Sequence, residues 1–256
     1  MIMKALRIAP PPEKLAYTKG YRGFTLAEVL ITLGIIGIVA TLTLPALIAK
    51  QKAKILENQF KKSYSSIQQA FILTKNDLGI DNIYSTYTVY DGTNYTFADE
   101  FINTLDRNLQ IRKIIDFYPV KNYNKTKITS SNIGHDYPNA LKILPDGSSY
   151  GTHINFDGNK LGIWVYIDIN GPKQKPNTYG HDIFKFEIGK SDKLLPLKPL
   201  QEYTPEELEN SIYPELLGYP CNLKSNQGTN GAGCSYYAVN NICPYNKNRK
   251  YWECLP

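Results

Sequence analysis

One acidic side chain lies within the most apolar stretch of the chain. Residues 24–49 contain a single charged residue, Glu28. A charged group in the hydrocarbon interior of a membrane costs several kcal/mol of free energy, so such a carboxylate is expected to have a positively charged partner. The alternative interpretation is that Glu28 is a solvated charge at the start of a helix, near the membrane surface.

The same stretch is long enough to cross a membrane. Its 26 residues would form a helix about 39 Å long, against a hydrocarbon core of about 30 Å. Residues 1–23 contain five basic residues and one acidic residue, which predicts that the N-terminus lies in the cytoplasm and the remainder outside. A secretory signal peptide is disfavoured, because the apolar run is too long and Pro45-Ala46-Leu47 is a poor cleavage site.

The sequence around the start of this stretch, GFTLAEVL at residues 23–30, resembles the prepilin N-terminus of type IV pilins and type II secretion pseudopilins. In that family a membrane peptidase cuts after the glycine and methylates the new N-terminus. The resemblance implies cleavage between Gly23 and Phe24 and N-methylation of Phe24. It places Glu28 at the fifth and Pro45 at the twenty-second position of the mature chain, as in the family, and covers roughly a tenth of the sequence.

The resemblance also implies how the mature chain is used. The precursor would be a single-pass inner-membrane protein, and the mature chain would enter a periplasmic or extracellular filament. The implied partners are the prepilin peptidase, other pilin or pseudopilin subunits and an inner-membrane assembly platform. Glu28 would pair with the N-terminal amine of a neighbouring subunit. Pro45 is expected to kink or loosen the helix, although proline and glycine are also common in transmembrane helices.

A second group of polar residues lies in the segment 168–184. Asp168, Asn170 and Asp182 lie in a stretch that resembles the D-x-N-G…G-x-D-x-F segment of prepilin-like proteins and, loosely, the calcium loop of major type II pseudopilins. Calcium prefers several oxygen ligands on a bent loop. The alternative is a loop without metal, in which aspartate and asparagine side chains bond to backbone amides. No other cofactor is expected.

Four cysteines are confined to the end of the chain: Cys221, Cys234, Cys243 and Cys254. Their spacings do not form C-x-x-C, which disfavours zinc and thioredoxin-like chemistry. An even number on the outer side of a membrane predicts two disulfides, with three possible connectivities and free structural thiols as the alternative.

Charge and motifs disfavour two other classes of function. The net charge of +6 lies mostly in residues 1–23, so the mature chain has no general phosphate-binding character and no direct nucleic-acid binding is expected. His135, His153 and His181 lie in no H-E-x-x-H motif and are expected at the surface, and the chain lacks a P-loop motif. An enzyme is therefore not expected.

The predicted fold class is α+β and pilin-like, with a long N-terminal helix packed on an antiparallel sheet and a disulfide-closed C-terminal region. The predicted segments are a leader (1–23), a membrane or filament-core half-helix (24–49), an amphipathic half-helix (50–76) and a globular head (77–256) whose end (218–256) is rich in cysteine. The apolar stripe of the amphipathic half should face the head, and its polar face should face outward. The stripe comprises Leu56, Phe60, Tyr64, Ile67 and Phe71; the polar face comprises Lys52, Lys54, Glu57, Lys61 and Lys62.

Within the head, the pattern predicts a hairpin at 141–156 with a turn at Pro145-Asp146-Gly147, a central strand at 162–169 and an alternating strand at 183–188. A second turn is predicted at 157–159. A short helix should begin at Thr96, and another at Thr204 that continues to Pro214. The remaining stretches, 77–95, 118–139 and from Gly218 onward, are predicted as polar or loop-like.

The sequence therefore favours a prepilin-like filament subunit. The large head favours a minor subunit, and the cysteine-rich tail favours a type IV pilus. The alternatives are a type II secretion pseudopilin and a membrane-tethered enzyme or receptor that uses the prepilin pathway for export.

Overall fold

A computed structural model describes residues 23–256 except 88–95, 116–117, 127–140, 158–159, 212–213 and 215–216. The predicted leader up to Arg22 and most of the turn at 157–159 therefore lie outside the described residues. The chain divides into two compact units, Met1–Leu47 and Ile48–Pro256.

The longest element is α1, an α-helix of 53 residues from Leu26 to Leu78. It continues through Pro45 without interruption in its helical assignment. It ends before Gly79, whose φ of 63° lies in the left-handed region that favours glycine. The helix therefore extends two residues beyond the predicted end at residue 76. All the buried residues of α1 lie between Glu57 and Thr74, within the second unit.

The second unit contains one antiparallel sheet of six strands in sequential order. The central pairing joins β3 (Ser149–Asp157) to β4 (Lys160–Asp168), and β4 pairs on its other side with β5 (Ile183–Ile188). The predicted hairpin, its turn at Gly147 and the interior position of the GIWVYIDI strand are confirmed. The other strands are β1 (Lys113–Ile115), β2 (Leu141–Ile143) and β6 (Leu194–Pro196), of which β1 and β6 were not predicted.

The apolar stripe of α1 packs against one face of this sheet. The ring of Phe60 lies 4.7 Å from that of Phe184 and 5.4 Å from that of Trp252, and Tyr64 stacks on Phe186 at 5.2 Å. Aromatic pairs at these distances add to the free energy gained by burying their surface. The stripe is therefore the main contact of α1 within the second unit, as predicted, and the fold is the α+β, pilin-like architecture expected from the sequence.

The burial of Glu57 and of the strand Ile183–Ile188 differs from the prediction. Glu57, expected on the outer face of α1, is buried, and it is paired with Lys54 and Lys61 one turn away on either side. The strand Ile183–Ile188, expected to alternate between buried and exposed residues, is buried at all six positions. Its second face is covered too: Lys185 lies 4.6 Å from the ring of Tyr219, so sequence alternation does not produce an exposed face.

Several stretches predicted as loops contain structure. Helix α2 (Ile83–Tyr87) lies within 77–95, and the tail from Gly218 contains α5 (Ser235–Asn240) and the 3-10 turns Ala232–Cys234 and Tyr251–Glu253. The connection expected to be exposed at 118–139 buries Tyr123, because its backbone pairs with the segment 177–179.

The two remaining helices begin where the sequence predicts. Helix α3 (Thr96–Asn108) buries Phe101 against Phe71 at 5.6 Å. Helix α4 (Pro205–Asn210) has a complete capping box between Thr204 and Glu207, but it ends four residues before Pro214. The helix ends because the backbone of Ser211 is extended, and its amide donates to the carbonyl oxygens of Glu207 and Leu208.

A substitution of Phe60 tests whether the apolar stripe stabilises the packing of α1 against the sheet. Replacing Phe60 with alanine removes a ring in contact with Phe184 and Trp252, and should cost about 3–5 kcal/mol of unfolding free energy. Ile72→Ala, at an exposed position of the same helix, should change it by less than about 0.5 kcal/mol. Chemical denaturation followed by circular dichroism measures both. Equal effects of the two substitutions would contradict this packing.

Candidate processing and assembly site

The predicted cleavage site lies just before α1, outside the helix. Gly23, Phe24 and Thr25 are outside the helix, which begins at Leu26, and all three are exposed. The side chain of Phe24 is 87% exposed. A peptidase must bind its substrate in an extended conformation with free access to the bond, and a bond inside a hydrogen-bonded helix would first have to unwind. The peptide bond between Gly23 and Phe24 lies outside the helix, and both residues are exposed in the described part of the chain.

Glu28 has a local partner at the beginning of α1. Its Oε2 accepts hydrogen bonds from the backbone amide and the hydroxyl of Thr25, both at 2.8 Å, and its own amide donates to the Thr25 hydroxyl at 3.2 Å. This is a capping box, in which two orphan amides of a helix start are satisfied reciprocally. Sequence reasoning missed it, although the T-x-x-E spacing that produces it is visible in the sequence.

The capping box places the carboxylate of Glu28 near the residue that the predicted cleavage would make the N-terminus. Thr25 follows directly after Phe24, the residue that would carry the free amine after cleavage. Thr25 is neutral, so its hydrogen bonds do not compensate the charge of the carboxylate. A positively charged group would do so.

The first half of α1 exposes an almost continuous apolar surface. Its large hydrophobic side chains, from Leu26 to Ile48, are each at least 41% exposed. By length and composition the helix could cross a membrane, although a signal sequence near an N-terminus passes the same test. Apolar patches of this size on a soluble protein indicate a binding surface, so this half-helix requires a lipid or protein environment.

Pro45 and the nearby glycines are not explained by packing within the chain. A Cβ atom added at Gly34 or Gly37 would meet no atom within 4 Å. Pro45 lacks an amide hydrogen, so the carbonyl of Thr41 has no donor at the usual position one turn later. The hydroxyl of Thr41 donates back to the carbonyls of Gly37 and Ile38, at 2.9 and 2.8 Å. The predicted local loosening at Pro45 remains a prediction.

The second candidate site is the segment between β4 and β5, where Asp168 and Asp182 are both buried. Asp168 accepts hydrogen bonds from the amides of Asn170 and Gly171 at 3.2 and 2.9 Å, and from the hydroxyl of Tyr118. Asp182 accepts from the amides of Asn177 and Thr178 at 2.8 and 2.7 Å. Both carboxylates therefore hold the loop by bonds to its backbone.

Burial also changes the ionisation of these two groups. It raises the pKa of Asp168 to about 7, with the nearby charge of Asp182 as the second cause, and it raises the pKa of Asp182 to about 6. In the same loop, the side-chain oxygens of Asn170 and Asn177 are buried without a hydrogen-bond partner in the described structure. The loop thus combines two carboxylates that are difficult to ionise with two acceptors that lack a donor.

Within the described ranges, no three His, Cys, Asp or Glu side chains lie together as a metal site would require. The ligands available to calcium in this loop are the two carboxylates, the amide oxygens and backbone carbonyls. All are oxygen atoms, which calcium accepts, but the carboxylates already receive backbone hydrogen bonds. The predicted calcium site remains a prediction.

One histidine differs from the prediction of a surface role. His181 is buried, and burial lowers its pKa to about 4, so its ring is neutral at pH 7. Its Nε2 lies 3.0 Å from the carbonyl oxygen of Tyr123. The sequence alone could not show this, because the covering residues come from the distant connection near 123. His153 is partly buried beside the ring of Trp164, and His135 lies outside the described residues.

The four cysteines form two disulfides, as predicted. Cys221 is bonded to Cys234, and Cys243 to Cys254, so each cysteine pairs with a neighbour in sequence. The two bridges close loops with sequence separations of 13 and 11 residues. Cys234 and Cys254 lie within or directly beside the short 3-10 and α5 helices, which therefore owe part of their order to these covalent links.

Comparison with known proteins supports the N-terminal site alone. The model of the prokaryotic N-terminal methylation motif matches residues 18–44. The matched segment contains Gly23, Phe24 and Glu28 and ends directly before Pro45. No curated protein and no solved structure gives a significant match to the chain. The head therefore has to be interpreted from its own structure.

Asp168 should make the stability of the protein depend on pH. Its pKa of about 7 lies above the ordinary value near 4, so its contribution is greatest below about pH 4 and is lost as the pH rises through 7. Asp168→Asn cannot ionise and retains an acceptor for the backbone amides. It should flatten the fall in melting temperature between about pH 5 and pH 8, to which Asp182 also contributes. Thermal melts across this range measure the effect.

The matched control for that experiment is Asp81→Asn, which removes an exposed carboxylate from the same unit. It should leave the slope of melting temperature against pH as in the unmodified protein. A slope in Asp168→Asn equal to that of the unmodified protein would show that Asp168 does not titrate in this range.

Proposed function

Because the chain carries the prokaryotic N-terminal methylation motif, a type IV prepilin-like signature, we propose that it is a structural subunit of a pilus-like filament. It is made as an inner-membrane precursor, cleaved after Gly23 by a prepilin peptidase, methylated at Phe24 and extracted into the filament. The observation that carries this proposal is the exposed apolar half-helix headed by an accessible Gly23–Phe24 bond and a carboxylate at Glu28.

The carboxylate of Glu28 would guide assembly through an exchange of partners. In the single chain it caps its own helix through Thr25. In a filament, the amine of Phe24 from a neighbouring subunit would approach the same oxygens and form an ion pair. Opposite charges in an apolar environment relieve each other's desolvation, whereas loss of one leaves the other buried alone at a cost of about 3–5 kcal/mol.

The second unit would face outward and determine what the filament does. Its size beyond the half-helix supports a minor subunit, and its two disulfides support a type IV pilus rather than a type II secretion pseudopilus. The inner-membrane assembly platform and other pilin subunits are the partners of this role, and direct nucleic-acid binding is not part of it.

A tethered enzyme or receptor is the competing proposal, and it gives no function to the carboxylate of Glu28. Hydrolase assays of the purified protein discriminate the two.

Glu28 provides the direct test of assembly. Glu28→Ala should still be inserted and cleaved, but its incorporation into filaments should fall at least about tenfold, because the buried amine loses its partner. Glu28→Gln should behave similarly, since it keeps hydrogen bonding and removes the charge. Glu206→Gln removes an exposed acid at the start of α4 and serves as the control.

The measurements are N-terminal sequencing of protein recovered from cell envelopes and quantification of the subunit in sheared filaments. The proposal expects methylated Phe24 as the first residue in all three variants. Filaments that contain Glu28→Ala at the normal level would refute the ion pair. A natural N-terminus at Met1, or one beyond Leu47, would refute processing after Gly23.

A second proposal concerns the loop between β4 and β5, where we infer that calcium is bound by Asp168, Asn170 and Asp182. The support is the buried side-chain oxygen of Asn170, which has no partner among the described residues, together with two carboxylates whose pKa values are raised by burial. A cation would stabilise all three groups.

Calcium at about 1 mM, within the affinity range of extracellular sites, should raise the melting temperature of the chelator-treated protein, and magnesium should not. Asp182→Asn should remove that difference. Identical melts with calcium and with chelator would end this proposal.

A further inference from the structure

A basic groove lies where the second half of α1 meets the C-terminal segment. It has a volume of about 310 Å³ and is lined by Lys50, Gln51, Ala53, Lys54, Glu57, Lys250, Trp252 and Glu253. Its lining comes from two segments about two hundred residues apart in sequence, which the fold brings together within the second unit. The sequence pattern alone therefore gives no sign of it.

The groove presents more donors than acceptors. Lys50, Lys54 and Lys250 contribute three ammonium groups. Of the two carboxylates in the lining, that of Glu57 is bonded to Lys61 at 2.5 Å and to Lys54 at 3.4 Å, and Glu253 is exposed. With Lys61 neutralising Glu57, the groove retains a net positive charge, which fits an anion.

Trp252 also lines the groove. Its side chain is 3% exposed, and its indole Nε1 is buried without a hydrogen-bond partner in the described part of the chain. Indole nitrogen is a donor only, so the group that satisfies it must be an acceptor. A phosphate oxygen is such an acceptor, and the ammonium groups beside it would compensate its charge.

The position of the groove along α1 identifies the source of the phosphate. Lys50 follows directly after the apolar stretch that ends at Ala49, and Lys54 lies one turn further. The stretch would be about 39 Å long, against about 30 Å of hydrocarbon and about 40–45 Å of bilayer including its headgroups. With the first residues of the stretch at the cytoplasmic surface of the headgroups, Lys50 and Lys54 lie about 39 and 45 Å along the helix, at the outer headgroup layer.

We propose that this groove binds the phosphate of an anionic phospholipid headgroup in the outer leaflet of the membrane that α1 spans. The inference rests on the proposed membrane insertion of the precursor and goes beyond it by assigning a lipid-binding role to Lys50, Lys54, Lys250 and Trp252. Binding would hold the second unit at the membrane surface before extraction, and loss of the lipid would accompany entry into a filament.

The test uses the full chain in nanodiscs of phosphatidylcholine, with or without about one-third phosphatidylglycerol that carries a photoactivatable headgroup. Crosslinked peptides are located by mass spectrometry. The proposal expects crosslinks at residues 250–253 and 50–54. Replacing Lys50, Lys54 and Lys250 with glutamine should lower their yield by about five-fold for each lysine removed, to the level of a zwitterionic probe.

The matched control replaces Lys52, Lys121 and Lys247 with glutamine. These three lysines are exposed, do not line the groove and remove the same total charge. An equal loss of crosslinking in this control would show diffuse attraction to the surface and overturn the proposal. Equal yields from zwitterionic and anionic probes, or crosslinks to a second copy of the protein in place of lipid, would overturn it as well.

Two further outcomes separate the possible failures. Failure of the chain to insert into nanodiscs would refute the proposed membrane anchor rather than the groove. Complete competition by soluble glycerol phosphate at millimolar concentration would identify a site for free phosphate and overturn the assignment to lipid. Crosslinking that survives this competition and is lost in the groove variant supports the proposal.

Discussion

The first half of α1 buries none of its large apolar side chains among the residues that the structure describes. From Leu26 to Ile48 its large apolar side chains are exposed, and within the described residues the one carboxylate among them bonds to the neutral side chain and backbone of Thr25. Burial of apolar surface is the largest favourable contribution to folding and association, so such a helix is stable only in lipid or among other helices. The proposed life of the protein, first in a membrane and then in a filament, provides these two environments in turn.

The second half of α1, by contrast, packs within the second unit. Phe60 and Tyr64 are set four residues apart, so they lie on one face of α1 and contact β5 together. Trp252 contacts Phe60 from the C-terminal segment, beside the disulfide of Cys243 and Cys254. The end of the chain is therefore fixed on the helix near the residues that follow the apolar stretch, and this arrangement creates the basic groove.

The loop after β4 shows how the same residues can support two chemistries. Asp168 and Asp182 receive backbone hydrogen bonds that position the loop, yet burial opposes their ionisation. A proton or a cation would relieve that cost equally well. The structural role of the two carboxylates is visible in their hydrogen bonds. A role in calcium binding requires that a calcium ion, and not a proton, neutralises them in the compartment where the protein lies.

The spacing of residues along the sequence determined much of the local structure of this protein. The distances from Gly23 to Glu28 and Pro45, the stripe that includes Phe60, the turn at Gly147 and the cap at Thr204 are relations within a few residues or turns, and each is fixed by helix or strand geometry. The capping box at Thr25 belongs to the same class and was visible in the T-x-x-E spacing.

Only the tertiary structure decided the burial of Glu57, Lys185 and His181, the pairing of the four cysteines and the meeting of Lys54 with Lys250. Each depends on which distant segment covers a given side chain, and hydrophobic periodicity reports the direction of a side chain but not the identity of its neighbour. Burial also sets the cost of a charge, so the ionisation of Asp168 follows from the fold rather than from the residue type.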